Sequence, residues 1–210
     1  MNLILSLSVI AISAFFAIYG KYRKQKFIHY AFKPLTMILI ISLAWERITA
    51  FPSAYSYLIL SGLCLSFLGD ILVMLPSAKF IKPGLLAFLT GYVLYILAIS
   101  RGIRVVSFLS FLPILAVGAV AYLYLYGKLG KMRFPVLIYV LIVAVLVWLG
   151  INRYLSLLDQ KSLFVMVGGI LLLFSESTWG VNKFRRQFWL AEIFILGTYF
   201  PAQLLFALSI

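Results

Sequence analysis

The stretch YSYLILSGLCLSFLGDILVMLP, Tyr55 to Pro76, decides what kind of protein this is. It is apolar almost throughout, and as a helix rising 1.5 Å per residue it extends roughly 33 Å, enough to cross the ~30 Å hydrocarbon core of a bilayer. Its one ionisable acid is Asp70. A carboxyl inside such a segment costs about 3 kcal/mol at the bilayer centre, so it is expected to face other helices and to serve a function.

Comparable apolar runs fill the rest of the chain. Of 210 residues, 65% are hydrophobic and 11% charged, and the mean hydropathy is +1.13. The apolar residues come in long runs rather than alternating stripes, which excludes a soluble domain and the ten-residue alternation of an outer-membrane barrel. The expected class is therefore an all-α integral membrane protein with eight transmembrane helices in one domain, residues 1–210.

The expected spans are Leu3 to Tyr19, a segment opening at Lys33-Pro34 and ending near Ala50, Tyr55 to Leu75, Pro83 to Ser100, Val106 to Tyr126, Pro135 to Asn152, Ser162 to Trp179, and Trp189 to Ser209. The first run carries its positive charge behind it, at Lys21, Arg23, Lys24 and Lys26, and so reads as a retained span rather than a cleaved signal. The net charge is +13, but the basic residues lie in short clusters between apolar runs. They read as topology signals facing anionic lipid, not as a nucleic-acid surface. With alternating spans, the loops after spans one, three, five and seven hold most of them. That predicts a cytoplasmic side for these loops and both termini outside.

The five acids are informative by depth. Asp70 falls about five residues, or roughly 7 Å, from the cytoplasmic end of its span. Glu176, near the end of span seven, and Glu192, near the start of span eight, share that level. Glu46 sits beside Arg47 at the opposite face, where a local ion pair is the simplest reading, and Asp159 lies in an outer loop. Glu192 has Arg185 and Arg186 nearby as interfacial partners. Neither Asp70 nor Glu176 has a base within one helical turn, so each requires a partner from another helix or must stay protonated.

Helical spacing puts Gly62, Ser66, Gly69 and Asp70 on one face of span three, and Gly169, Leu172, Leu173 and Glu176 on a face of span seven. Small residues there predict close helix approach. Gly84, Phe88, Gly91, Tyr92 and Tyr95 line up in span four; Glu192, Leu196, Tyr199 and Gln203 do so in span eight. Gly62 and Gly168 each precede an acid by eight residues, and Lys79-Phe80 and Lys183-Phe184 follow. These echoes raise two four-helix halves as the internal organisation. No metal-ligand cluster, nucleophile elbow or phosphate-binding glycine loop occurs, His29 lies among basic loop residues, and Cys64 has no partner for a disulfide.

The pieces Gly62 to Leu75 with its Ser66-Phe67-Leu68-Gly69-Asp70 core, Gly84 to Tyr95, Leu173-Phe174-Ser175-Glu176, and Thr198-Tyr199-Phe200-Pro201-Ala202-Gln203 resemble the YhhN family, which includes the mammalian transmembrane-protein-86 lysoplasmalogenases. Two positions depart from the family pattern. Ser175-Glu176 stands where Ser-Asp is usual, keeping the carboxyl on a longer arm, and Tyr92 stands where His is frequent.

The resemblance implies hydrolysis of the vinyl ether bond of a lysoplasmalogen to a fatty aldehyde and a glycerophospho-alcohol, without metal or organic cofactor. The substrate is then a lysophospholipid taken from the membrane. Asp70 and Glu176 are the expected catalytic carboxyls, one protonated and one charged. Ser66, Tyr92, Tyr199, Gln203 and Glu192 are the expected polar contacts for substrate and water, with Lys79 and Lys183 at the headgroup phosphate. The alternatives are a proton- or cation-coupled transporter that uses the intramembrane acids, or a noncatalytic lipid-binding membrane protein.

Overall fold

The computed structural model describes residues 3–210, so Met1 and Asn2 of the expected domain lie outside the described residues. The described residues form eight α-helices: α1 Leu3–Tyr22, α2 Lys26–Ala50, α3 Ala54–Met74, α4 Ile81–Ile99, α5 Phe111–Tyr126, α6 Arg133–Leu157, α7 Gln160–Gly180 and α8 Ala191–Leu208. Short 3-10 turns, Ala78–Phe80 and Gly130–Met132, lead into α4 and α6, and a π-helical turn, Val181–Arg185, follows α7. Seven of the helices are long and apolar enough to cross a membrane. Phe15 and Phe194 stand exposed on two of these helices, and Leu112, Val120 and Leu123 on the shorter α5; bare apolar surface of this extent belongs against lipid. The all-α membrane class read from the sequence is the class observed.

Three boundaries differ from expectation by five residues or more, one of them the end of α6, which runs to Leu157 rather than Asn152. The second helix begins at Lys26, several residues before Lys33-Pro34, and holds Pro34 in its interior. Lys33 and His29 are therefore helical residues rather than loop residues. The reason lies in the α1–α2 seam, which continues past the apolar run. His29 Nδ1 donates to Ala17 O at 2.9 Å, Ser13 and Thr36 share a hydrogen bond of 2.8 Å, and Phe16 lies on Phe32. A Cβ on Gly20 would meet the His29 backbone nitrogen at 2.6 Å, so the helices touch there.

The fifth helix starts at Phe111 instead of Val106 and is 16 residues long, about 24 Å. The residues before it are held out of a helix by side chains of α6. Arg104 and Val105 donate their backbone N–H groups to Ser156 Oγ at 3.0 and 2.9 Å. Ser107 N–H donates to Asn152 Oδ1 at 2.6 Å, and Trp148 Nε1 donates to Ser107 O at 2.8 Å. Arg153 adds bonds to Ile99 O at 3.2 Å and to Arg101 O. Irregular backbone among spanning helices is stable only when protein groups satisfy it in this way.

The chain gathers into two compact units. The first holds α1 to Ala98 of α4 and the last turn of α8, where Phe206 packs on Tyr95 at 4.5 Å between ring centroids and Leu208 O accepts from Arg47 at 3.1 Å. The second holds α5 to α7 and Ala191–Leu205 of α8. Its core includes Ile114, Ala144 and Val147, flanked by Phe111, Trp148, Ile151, Ile170 and Leu173. Asp159 caps α7, accepting from Ser162 N–H at 2.7 Å in a reciprocal capping box. The Ser162 hydroxyl and then its backbone N–H hold the Asp159 carboxyl below its ordinary range.

Candidate active site

In the first unit α3 carries no charge in its first or last turn, and its polar residues concentrate on one stripe. Gly62, Ser66, Gly69 and Asp70 are all buried, matching the i, i+4, i+7, i+8 spacing of a single helix face. The matching face of α4 lies directly against it. A Cβ on Gly62 would enter the Tyr95 ring; on Gly69 it would lie 2.8 Å from Phe88, on Gly84 2.6 Å from Val73, and on Gly91 3.0 Å from Gly62 O. Four glycines thus let two backbones meet, the close packing that small residues permit in membranes. The approach sets Tyr92 and Tyr95, both fully buried and stacked at 6.3 Å, alongside the Ser66–Asp70 stripe. The Tyr95 hydroxyl lies near Ser66 and Asp70.

Asp70 meets a base from a helix that the sequence reading had left out of the site. Lys33 Nζ of α2 lies 2.8 Å from Asp70 Oδ1, and the two side chains are only 13% and 3% exposed. One turn further along α3, Tyr30 donates its hydroxyl to Met74 O at 2.7 Å. Tyr30 and Lys33, three residues apart on α2, therefore engage Met74 and Asp70, four residues apart on α3, as adjacent rungs of one helix contact. An ammonium at hydrogen-bond distance stabilises the carboxylate where water is scarce, and an unpaired charge at such a site would be strongly unfavourable.

The structure thus brings Ser66, Asp70 and Tyr92 of the expected set into one neighbourhood and adds Lys33 and Tyr95 to it. Lys79 is apart, exposed on the turn before α4, its Nζ over the Phe80 ring at 5.1 Å. The other expected residues belong to the second unit. Glu176 is half-buried on α7, next to Ser175, whose hydroxyl donates to Ile195 O of α8 at 2.9 Å. Glu192 occupies the first turn of α8, where the helix dipole favours an acid. Tyr199 and Gln203 are buried one turn apart on the same helix. Lys183 is exposed in the π-helical turn, and Arg185, an expected partner of Glu192, stacks on Tyr124 and donates to its carbonyl at 2.8 Å. Among the described residues no three His, Cys, Asp or Glu side chains gather as a metal site.

Lys33 was hidden because a lysine beside a proline at the edge of an apolar run reads as a loop signal. The trace it leaves in the sequence is the i, i+3 pair Tyr30 and Lys33, on a helix long enough to carry both past the interface.

These features define an all-helical membrane protein with a carboxylate buried between helices and paired to a lysine. Residues 28–210 match the YhhN family, and the chain belongs to that family. It is similar to the uncharacterized membrane protein YhhN of Escherichia coli O6:H1, 30% identical over 207 residues and covering 98% of each chain. It is also similar to human lysoplasmalogenase TMEM86B, 32% identical over 155 residues, 74% of this chain and 64% of that protein. Bovine lysoplasmalogenase TMEM86A is 27% identical over 152 residues, 70% of this chain and 62% of that protein. No solved structure matches the chain.

Proposed function

We propose that this protein is a membrane-embedded hydrolase that cleaves the vinyl ether bond of lysoplasmalogens. The observation that carries the reading is the buried Asp70, set on the glycine-lined α3–α4 contact and paired with Lys33, in one of the segments that carry the resemblance to the family. The names of the mammalian relatives supply the reaction class.

The chemistry needs one acid and one carboxylate. A carboxylic acid delivers a proton to the alkenyl carbon beta to the ether oxygen, leaving an oxocarbenium ion at the alpha carbon. A carboxylate stabilises that cation and takes a proton from water as the water oxygen bonds to the alpha carbon. In the resulting hemiacetal the first group recovers a proton from the hydroxyl while the second protonates the departing glycerol oxygen. Aldehyde and glycerophospho-alcohol leave, and both carboxyls are restored. Asp70 and Glu176 are the proposed pair, with Ser66, Tyr92, Tyr199, Gln203 and Glu192 contacting water and substrate, and Lys79 and Lys183 the headgroup phosphate. The lysophospholipid arrives from the cell membrane, in which the basic loops face the cytoplasm and both termini face outward.

The test is aldehyde release by the purified protein in detergent, from lysoplasmalogen and from the acyl lysophospholipid as control. Aldehyde from the vinyl ether lipid alone is expected, and its absence from every vinyl ether lipid tried sinks the reading. A buried Lys–Asp pair also suits a proton-coupled carrier. That second reading gains if no aldehyde forms and Asp70→Asn abolishes proton flux into liposomes.

A further inference from the structure

We infer that Lys33 is a positioning residue that holds Asp70 as a carboxylate, and that Asp70 is therefore the group that stabilises the cation and activates water, not the acid that protonates the alkenyl carbon. The division of roles rests on the proposed hydrolysis; the Lys33–Asp70 assignment does not.

Asp70 lies in the interior part of a spanning helix, and its side chain is 3% exposed. A carboxyl in that position without a partner takes up a proton, because desolvation disfavours its charge. In its neighbourhood Lys33 of α2 meets the carboxyl itself, Tyr30 of α2 binds one turn further along α3, and Tyr95 of α4, stacked on Tyr92, lies close by. Three of these four are phenols, which hydrogen-bond but carry no ammonium or guanidinium charge. Lys33 is the charged one, and its contact of 2.8 Å is that of a charge-assisted hydrogen bond. The phenol of Tyr30 is committed to Met74 O, which fixes the turn of α2 that carries Lys33. Pro34 follows at once and has no N–H to return to the Tyr30 carbonyl, so that turn depends on its contact with α3 more than an ordinary helical turn does.

The consequence for the reaction is specific. A carboxylate held by an ammonium is a poor proton donor to carbon and a good electrostatic partner for an oxocarbenium ion. Protonation must then come from a different acid. Lys33 touches no reacting atom in this scheme; it acts through Asp70.

The experiment is infrared spectroscopy of the purified protein in lipid nanodiscs across pH, with the Asp70 carboxylic acid band assigned by its loss in Asp70→Asn. The wild-type protein is expected to show no such band at neutral pH, Lys33→Met and Lys33→Gln to gain it, and Lys33→Arg to stay without it. In the aldehyde assay the rising, low-pH limb of the Lys33→Gln profile is expected to move up until its midpoint lies about one pH unit above neutral, so that turnover at pH 7 falls about tenfold and recovers as the pH is raised. Lys33→Arg keeps the limb in place.

An Asp70 acid band in the wild-type protein overturns the inference outright, and that measurement needs no variant to fold. Its absence from folded Lys33→Gln overturns it too, as does lower turnover with an unmoved pH profile, which is what a purely structural lysine would produce. If the bands behave as expected and no vinyl ether lipid is cleaved, the Lys33–Asp70 assignment stands and the proposed reaction falls.

Discussion

Polar side chains are buried in both units, but they are employed differently. In the second unit Asn152, Ser156 and Trp148 of α6 engage the backbone of the irregular segment before α5. They do what hydrogen-bonding groups in an apolar setting must do wherever a chain leaves a helix. In the first unit Asp70 is matched to the charge of Lys33, between two segments, α2 and α3, that are both helical. A charge pair inside a membrane protein is costly to assemble and contributes little to stability beyond what apolar side chains would supply. The buried polarity of α6 is explained by architecture; that of Asp70 calls for chemistry.

That contrast can be broken by experiment. The largest effect is expected from Asp70→Asn, which should lower aldehyde release per folded molecule by about 10²–10⁴-fold, equivalent to roughly 3–5 kcal/mol of barrier, and should also lower thermal stability in detergent by leaving the Lys33 charge without its carboxylate. If stability collapses and turnover per folded molecule is kept, Asp70 is architectural after all. Asn152→Ala should affect stability alone. It leaves Ser107 N–H without its acceptor, at a cost of about 1–3 kcal/mol in stability. Turnover per folded molecule should be preserved.

Gly69→Ala sharpens the comparison by combining both consequences. Its Cβ would sit 2.8 Å from Phe88, so α4 must shift, costing about 1–3 kcal/mol. Because the same contact carries Tyr92 and Tyr95, turnover should fall with stability, which Asn152→Ala does not predict. The smallest effect is expected from Asp159→Ala, about 1 kcal/mol from loss of the α7 cap. Its pH dependence has a definite sign. The folded-state carboxyl is held low by Ser162, so the stabilisation is full above the ordinary aspartate range and fades as the pH falls through the folded value. The wild-type and Asp159→Ala unfolding curves should converge at low pH.

Much of the first unit was legible before any coordinates. The stripes Gly62-Ser66-Gly69-Asp70 and Gly84-Phe88-Gly91-Tyr92-Tyr95 follow from helical periodicity, and they pack against each other. Lys33 and His29 were misplaced because hydropathy ends a span where charge begins, whereas a helix ends where its hydrogen bonds and packing end. The α1–α2 seam through His29 and Ala17 keeps α2 helical well outside the apolar run. The late start of α5 was hidden for a related reason. Val105 to Ser110 are apolar or small enough to be helical, and the groups that draw them out, Asn152 and Ser156, lie far away in sequence.

By itself the amino-acid order determined the all-helical membrane class, the approximate positions of the helices and the costly carboxyl at residue 70. These follow from the length of apolar runs, the 3.6-residue period and the price of charge in lipid, all of them local quantities. Only the tertiary structure decided that Lys33 is the base at Asp70 and that Asn152 serves the backbone. A long polar side chain at a helix end can turn to water, to lipid headgroups or to a neighbouring helix, and which it does depends on what packing places within a hydrogen bond of it.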